Sequence, residues 1–164
     1  RMGADLARGA TATWESWESD TNGDSLLHAW GAAGLKGYVR YVLGIRPLSP
    51  QYDSVLIQPL DFDGRLSWAK GKVTTDRGEI AVNWKWAPNG HELRVSIPVN
   101  VTATIALPTG KAPDPIVLLD GKPARTQHVG DYLHIAGVGS GEHVMSRCDD
   151  TSQKPLPNTD KFSQ

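Results

Sequence analysis

Glu15 lies between two indoles, Trp14 and Trp17, in the stretch Gly9-Ala-Thr-Ala-Thr-Trp-Glu-Ser-Trp-Glu18, and His28 follows within a short interval. A carboxylate flanked by tryptophans suits carbohydrate chemistry. An indole stacks on the apolar face of a pyranose, while the carboxylate accepts hydroxyl hydrogen bonds or moves a proton. The residues alone also allow a plainer reading, in which Trp14 and Trp17 anchor a core and Glu15 is solvated. Glu18 is no second catalytic carboxylate. It sits three residues from Glu15 on one local segment and cannot reach the opposite face of a sugar ring.

The elements around this stretch must position it. Met2 to Arg8 has helical character and stops at Gly9, a natural C-terminal cap. Residues 10–23 read as a loop that ends in Asn22-Gly23 turn chemistry. Asp24 or Ser25 is expected to cap a helix running to about Leu43, because Leu27, Trp30, Leu35, Tyr38, Val39 and Val42 recur at helical spacing. Gly31, Gly34 and Gly37 thin one face of it. So short a chain cannot cover such a stripe without partner helices, and poor solubility or self-association is expected when it is made alone. Gly44 ends the helix and Pro47 prevents its continuation.

After Pro47 the apolar period changes from 3.6 to 2. Val55–Ile57 reads as a short strand. Ile80, Val82, Trp84 and Trp86 alternate with polar or small residues, Asn89-Gly90 signals a hairpin, and Leu93, Val95 and Ile97 alternate on the return. Val101 to Leu107 makes the next strand. Ile116–Leu119, a turn at Asp120-Gly121, Tyr132–Ile135 and His143–Met145 follow. Short strands with turns between them predict an antiparallel sandwich, with Trp68, Trp84 and Trp86 in its core and Trp30 in a helix–helix core. The polar tail with two Pro from Asp149 predicts disorder or a linker.

Composition excludes several partners. The 17 basic and 18 acidic residues give a net charge of -1 with no basic stripe, which argues against nucleic acid. No apolar run approaches membrane-spanning length. Six Trp against two Phe suit a polar binding surface or a β-rich domain, since a buried indole N–H needs a partner. Cys148 stands alone, so no intrachain disulfide framework is expected. The four His after residue 90 lack paired ligand spacing, so neither a metal nor any other cofactor is expected. Gly137-Val-Gly-Ser-Gly141 lacks the strand–loop–helix setting of a phosphate loop and reads as a turn. The chain opens on Arg1 as if inside an element, and is expected to be a C-terminal piece of something longer. A secreted or periplasmic setting is slightly favoured over a cytoplasmic one.

Three ordered blocks carry a family likeness: Gly9 to Trp17, then Leu27-His-Ala-Trp-Gly31, then Tyr38-Val-Arg-Tyr-Val-Leu-Gly-Ile-Arg-Pro47. Together with Ile57-Gln-Pro59, Leu66-Ser-Trp-Ala-Lys70, Gly78-Glu-Ile-Ala-Val82 and Val101-Thr-Ala-Thr104, they resemble the C-terminal part of the α-L-rhamnosidases of glycoside hydrolase family 78 over about residues 2–108. The resemblance implies an α+β fragment: terminal helices of an (α/α)6 barrel over 1–46, an antiparallel, jelly-roll-like β-sandwich over 47–147, and a polar tail over 148–164. It implies a hydrolase that removes terminal α-L-rhamnose with inversion, using two carboxyl groups roughly 6.5–9.5 Å apart. The family's Trp-Glu-x-Trp motif falls on Glu15 as general base. Its histidine motif falls on His28 as a sugar contact, with Leu27 and Trp30 in place of the usual neighbours, and Trp14 and Trp17 are candidate walls of the sugar pocket. The general acid would lie upstream, so the implied partners are a rhamnose-containing glycoside or polysaccharide and the remainder of the barrel. Two other readings stay open. One is an (α/α)6-barrel hydrolase acting on another glycan; the other is a non-catalytic sandwich that binds carbohydrate or docks a partner.

Overall fold

The computed structural model describes residues 2–60, 64–87, 90–110 and 115–148. The chain divides into two compact units, residues 1–38 and 39–164. Apart from Cys148, the polar tail lies outside the described residues.

The first unit holds a short helix α1 (Met2–Ala7), a single turn α2 (Ser19–Asn22), a 3-10 turn over Ala29–Ala32 and α3 (Ala33–Gly37). Gly9, at φ +90°, stops α1 as its position predicted; Gly23, at φ +83°, ends α2, a single turn within the residues read as a loop. The long helix expected from residue 24 or 25 to Leu43 is corrected. Helical backbone begins at Ala29, after His28 in extended conformation, and changes pitch from 3-10 through α to a π turn at Tyr38–Val42. Asp24 is drawn away from a capping role because its Oδ2 accepts hydrogen bonds from Ser16 Oγ at 2.8 Å and Asn22 Nδ2 at 2.7 Å. Three glycines in the following residues weaken a regular α run.

The second unit is a two-sheet sandwich. Its strands are β1 (Ile45–Pro47), β2 (Ser54–Ile57), β3 (Trp68–Thr75), β4 (Gly78–Ala87), β5 (Gly90–Ile97) and β6 (Thr102–Pro108). They continue with β7 (Ile116–Leu119), β8 (Lys122–Pro123), β9 (Gln127–Val129), β10 (Tyr132–Val138) and β11 (Gly141–Cys148). One sheet has the order β1-β2-β6-β10-β9 and the other β3-β4-β5-β11-β7-β8. Pairing is antiparallel except between β2 and β6. The chain leaves β2 for three strands of the opposite sheet and returns beside it in the same direction, the kind of crossover a parallel pair requires.

Register sets the core. Ile45, Ile57, Ile105 and Ile135 are successive partners across four strands, and all four are buried. From the facing sheet come Ile80, Val82, Trp84, Leu93, Val95 and Met145, each 0% exposed. Side chains alternate across a strand, so one register choice puts every one of these inside. Trp84 and Trp86 stack with centroids 4.5 Å apart, in the core as expected, and Trp84 Nε1 donates to the Val42 carbonyl at 2.7 Å. Trp68 is corrected: it is 65% exposed, because its neighbour Ala69 takes the inward position. The inward side of β3 is small for a reason. A Cβ on Gly71 would meet Leu43 Cδ1 at 2.7 Å, so Leu43 occupies the room a larger residue would need.

Two turns follow the sequence signals. Gly44 sits at φ +77°, and an added Cβ would come within 2.2 Å of the Gln58 carbonyl carbon, so only glycine serves there. Asp120 and Gly121, at φ +52° and +75°, form the turn between β7 and β8, with both central residues in the left-handed region. Ala87 pairs with Gly90 across the β4–β5 hairpin; Asn89, half of that signal, lies outside the described residues. Among the described residues no helix is long and apolar enough to cross a membrane, and no group of three or more His, Cys, Asp or Glu could hold a metal ion.

Candidate functional site

The site is built from two irregular strands of backbone in the first unit. The His28 N–H donates to the Thr13 carbonyl at 2.8 Å, Thr13 Oγ1 donates back to the His28 carbonyl at 2.9 Å, and the Glu15 N–H donates to the Ser25 carbonyl at 2.9 Å. These bonds lay Thr13–Glu15 alongside Ser25–His28. Gly31 makes the approach possible, since a Cβ there would meet Thr13 Cβ and the Trp14 carbonyl oxygen at 2.8 Å.

The pairing brings Glu15 and His28 together. Glu15 Oε2 accepts a hydrogen bond from the Ser25 N–H at 2.9 Å and lies 3.5 Å from His28 Nδ1. At 3.5 Å the imidazole is an electrostatic neighbour rather than a hydrogen-bond donor, and it forms an ion pair only when protonated. Both contacts fall on one carboxylate oxygen; among the described residues Oε1 has no hydrogen-bond partner. Glu15 and His28 are each about one third exposed, at 30% and 33% of their side chains. An oriented carboxylate with one open oxygen can take a proton from a water or hydroxyl.

Trp30 completes this corner. Its indole Nε1 donates to the Glu15 carbonyl at 3.0 Å, and its ring lies 4.2 Å from the His28 ring at an interplanar angle of 36°. It is 63% exposed, which corrects its expected place in a helix–helix core. Helical spacing misassigned it, because the helix begins only at Ala29 and the first turn is 3-10. Its position two residues after His28 was the signal that could have found it.

Trp14 and Trp17 go elsewhere. The Arg8 guanidinium sits over the Trp14 ring, 5.0 Å from its centroid, and also pairs with Asp5 at 2.8 Å and Asp20 at 2.9 Å. Arg8 further donates to the Trp17 carbonyl. Trp17, 46% exposed, lines a shallow depression with Ala4, Asp5, Arg8, Ser16 and Glu18, and neither Glu15 nor His28 lines it. The other acidic groups of this unit are mostly spoken for. Asp5 and Asp20 bind Arg8, Asp24 binds Ser16 and Asn22, and Glu18 stays exposed.

Residues 44–115 match the bacterial alpha-L-rhamnosidase C-terminal domain family. The chain is 35% identical over 113 residues to an alpha-L-rhamnosidase of Formosa agariphila, covering 63% of this chain and 12% of that protein. A Streptomyces avermitilis alpha-L-rhamnosidase is 29% identical over 150 residues, covering 86% of this chain and 14% of that one. The chain thus spans about an eighth of the length of the curated relatives it matches. Among solved structures, the alpha-L-rhamnosidase from Dictyoglumus thermophilum superposes with a TM-score of 0.77 at 25% identity, over 89% of this chain and 17% of that one. The Streptomyces avermitilis enzyme complexed with L-rhamnose gives 0.67 at 27% identity, over 88% and 14%. These relatives and structural neighbours are thus alpha-L-rhamnosidases, and the mainly antiparallel β-sandwich is consistent with the C-terminal domain that residues 44–115 match.

Proposed function

We propose that the chain is the C-terminal part of a hydrolase that releases terminal α-L-rhamnose with inversion, and that it carries the general base but not the general acid. The observation that supports this most is the Glu15 carboxylate, fixed by the Ser25 N–H, flanked by His28, and left with one open oxygen. In an inverting step that oxygen takes a proton from the attacking water. The water oxygen then bonds to the anomeric carbon on the face opposite the leaving group, and the glycosidic C–O bond breaks as a second carboxyl group protonates the departing oxygen. In this reading His28 and Trp30, which flank the carboxylate, contact the sugar. The remaining acidic groups of the unit are bound to cations or polar neighbours or lie on the same short segment, so the acid belongs to the rest of a longer protein, as part of an (α/α)6 barrel to which residues 1–46 contribute. Residues 47–147 support that barrel as its sandwich, and the substrate is a rhamnose-containing glycoside or polysaccharide.

Proton NMR of the sugar released by the longer protein from an aryl α-L-rhamnoside tests the mechanism. The β anomer appears first; early appearance of the α anomer contradicts inversion. The 164-residue chain alone is expected to release no rhamnose, and multiple turnovers by it would contradict the placement of the acid elsewhere.

A further inference from the structure

Between residues 2 and 35 the sequence offers one arginine or lysine, Arg8, against five carboxylates: Asp5, Glu15, Glu18, Asp20 and Asp24. A lone cation among so many acids decides by its position which of them it neutralises. Arg8 follows the last residue of α1, three positions after Asp5, and its Nη2 donates to Asp5 Oδ1 at 2.8 Å. Its Nη1 reaches across to α2 and donates to Asp20 Oδ1 at 2.9 Å.

The same guanidinium touches both sides of the segment that carries Glu15. It lies 5.0 Å from the centroid of the Trp14 ring, one residue before Glu15, and donates to the carbonyl of Trp17, two residues after it. An indole face attracts a guanidinium, and the planar head holds several N–H donors at fixed angles for a carboxylate and a carbonyl together. Isolated surface ion pairs hold little in place, whereas networks hold more. Here the Asp5 side chain is only 12% exposed, and partners from α1, the Trp14–Trp17 segment and α2 converge on one head. Among the described residues no hydrogen bond or ion pair joins Arg8 to Glu15 itself. Glu15 is instead held from the other side, by the Ser25 N–H on its carboxylate and by its own N–H on the Ser25 carbonyl.

We propose that Arg8 is a positioning residue for the general base, an inference that rests on the reading of Glu15 given above. It fixes Trp14 and Trp17, and through them the stretch of backbone from which the Glu15 carboxylate projects. By taking Asp5 and Asp20 as its counter-charges, it also stays clear of Glu15. A guanidinium paired with that carboxylate would hold it as the anion and make it a poorer proton acceptor. The contribution is geometric: a misplacement of about 1 Å can cost a catalytic group about 10²-fold in rate.

Steady-state kinetics of the longer protein on an aryl α-L-rhamnoside test it, with Arg8→Ala, Arg8→Lys and Glu15→Gln made singly and each Arg8 variant combined with Glu15→Gln. Arg8→Ala is expected to lower kcat about tenfold or more while KM stays within about twofold. Arg8→Lys keeps the charge but loses the fork, and should recover part of that loss; it carries the same comparison if Arg8→Ala does not fold. In the Glu15→Gln background either Arg8 variant should change kcat by less than about twofold, because a residue that acts through the base has nothing left to position. Parental kcat in both Arg8 variants, or the same fold loss with and without Glu15, would overturn the proposal. Parental kcat in Glu15→Gln would overturn the reading of Glu15 itself, so the two failures are told apart.

Discussion

Residues 1–38 and the sandwich that follows obey opposite rules of construction. Every buried hydrophobic side chain among the described residues belongs to the second unit, from Leu43 to Met145. The buried residues of the first unit are Asp5 and Ser19, both polar, while Leu6, Leu26, Leu27, Trp30 and Leu35 are each more than half exposed. The first unit is held by Arg8, Ser16, Asp24 and the Thr13–His28 backbone bonds; the second is held by register and packing. Hydrophobic burial is the dominant favourable term in folding. The sandwich therefore carries its own apolar core, whereas the segment bearing Glu15 leaves its large apolar side chains exposed and is held by polar bonds.

Core and surface substitutions break this comparison most severely if it is wrong. Trp84→Ala removes a fully buried ring and its bond to the Val42 carbonyl, and is expected to cost about 3–5 kcal/mol in denaturant unfolding. Trp30→Ala in the same chain should cost less than about 1 kcal/mol, since the ring is exposed. Equal losses from the two would mean that the first unit carries a core of its own. Gly44→Ala comes next. Its left-handed backbone alone costs roughly 1–2 kcal/mol for a residue with a Cβ, and the approach to Gln58 adds to that, so the melting temperature should fall clearly.

The smallest expected effect is a pH dependence confined to the sandwich. Burial, followed by the Arg46 charge, holds the His134 imidazole below its ordinary value of 6.5. The unfolded chain then binds a proton more readily than the folded one, so this stabilisation is present above about pH 6.5 and is lost as pH falls through that value towards the lower folded pKa. Melting temperature should decline across that window, and His134→Gln should flatten the slope. An unchanged slope would show that burial and the Arg46 charge do not hold it neutral.

The sandwich was legible where alternation was strong. Ile80 to Trp86 and Leu93 to Ile97 announce buried faces because large apolar residues occupy every second position. β3 was not legible, because its inward positions are Ala69, Gly71 and Val73, kept small by Leu43 from a distant part of the sequence. Trp68 was misplaced for the same reason: composition says an indole prefers the inside, while strand parity beside Ala69 turns it out. In the first unit, the family motifs named Glu15 and His28 separately, and no periodicity brings them together. Backbone bonds between Thr13 and His28 do, and no spacing rule encodes them. Trp30 was hidden because the apolar stripe was read as one regular helix.

The central claim is that Glu15 alone among the carboxylates of its segment acts as a general base. Steady-state kinetics of the longer protein with Glu15→Gln and Glu18→Gln, against an aryl α-L-rhamnoside, test it most directly. The account predicts a fall in kcat of about 10²-fold or more for Glu15→Gln with little change in KM, and near-parental kcat for Glu18→Gln. Parental kcat in Glu15→Gln, or an equal loss in Glu18→Gln, would contradict it.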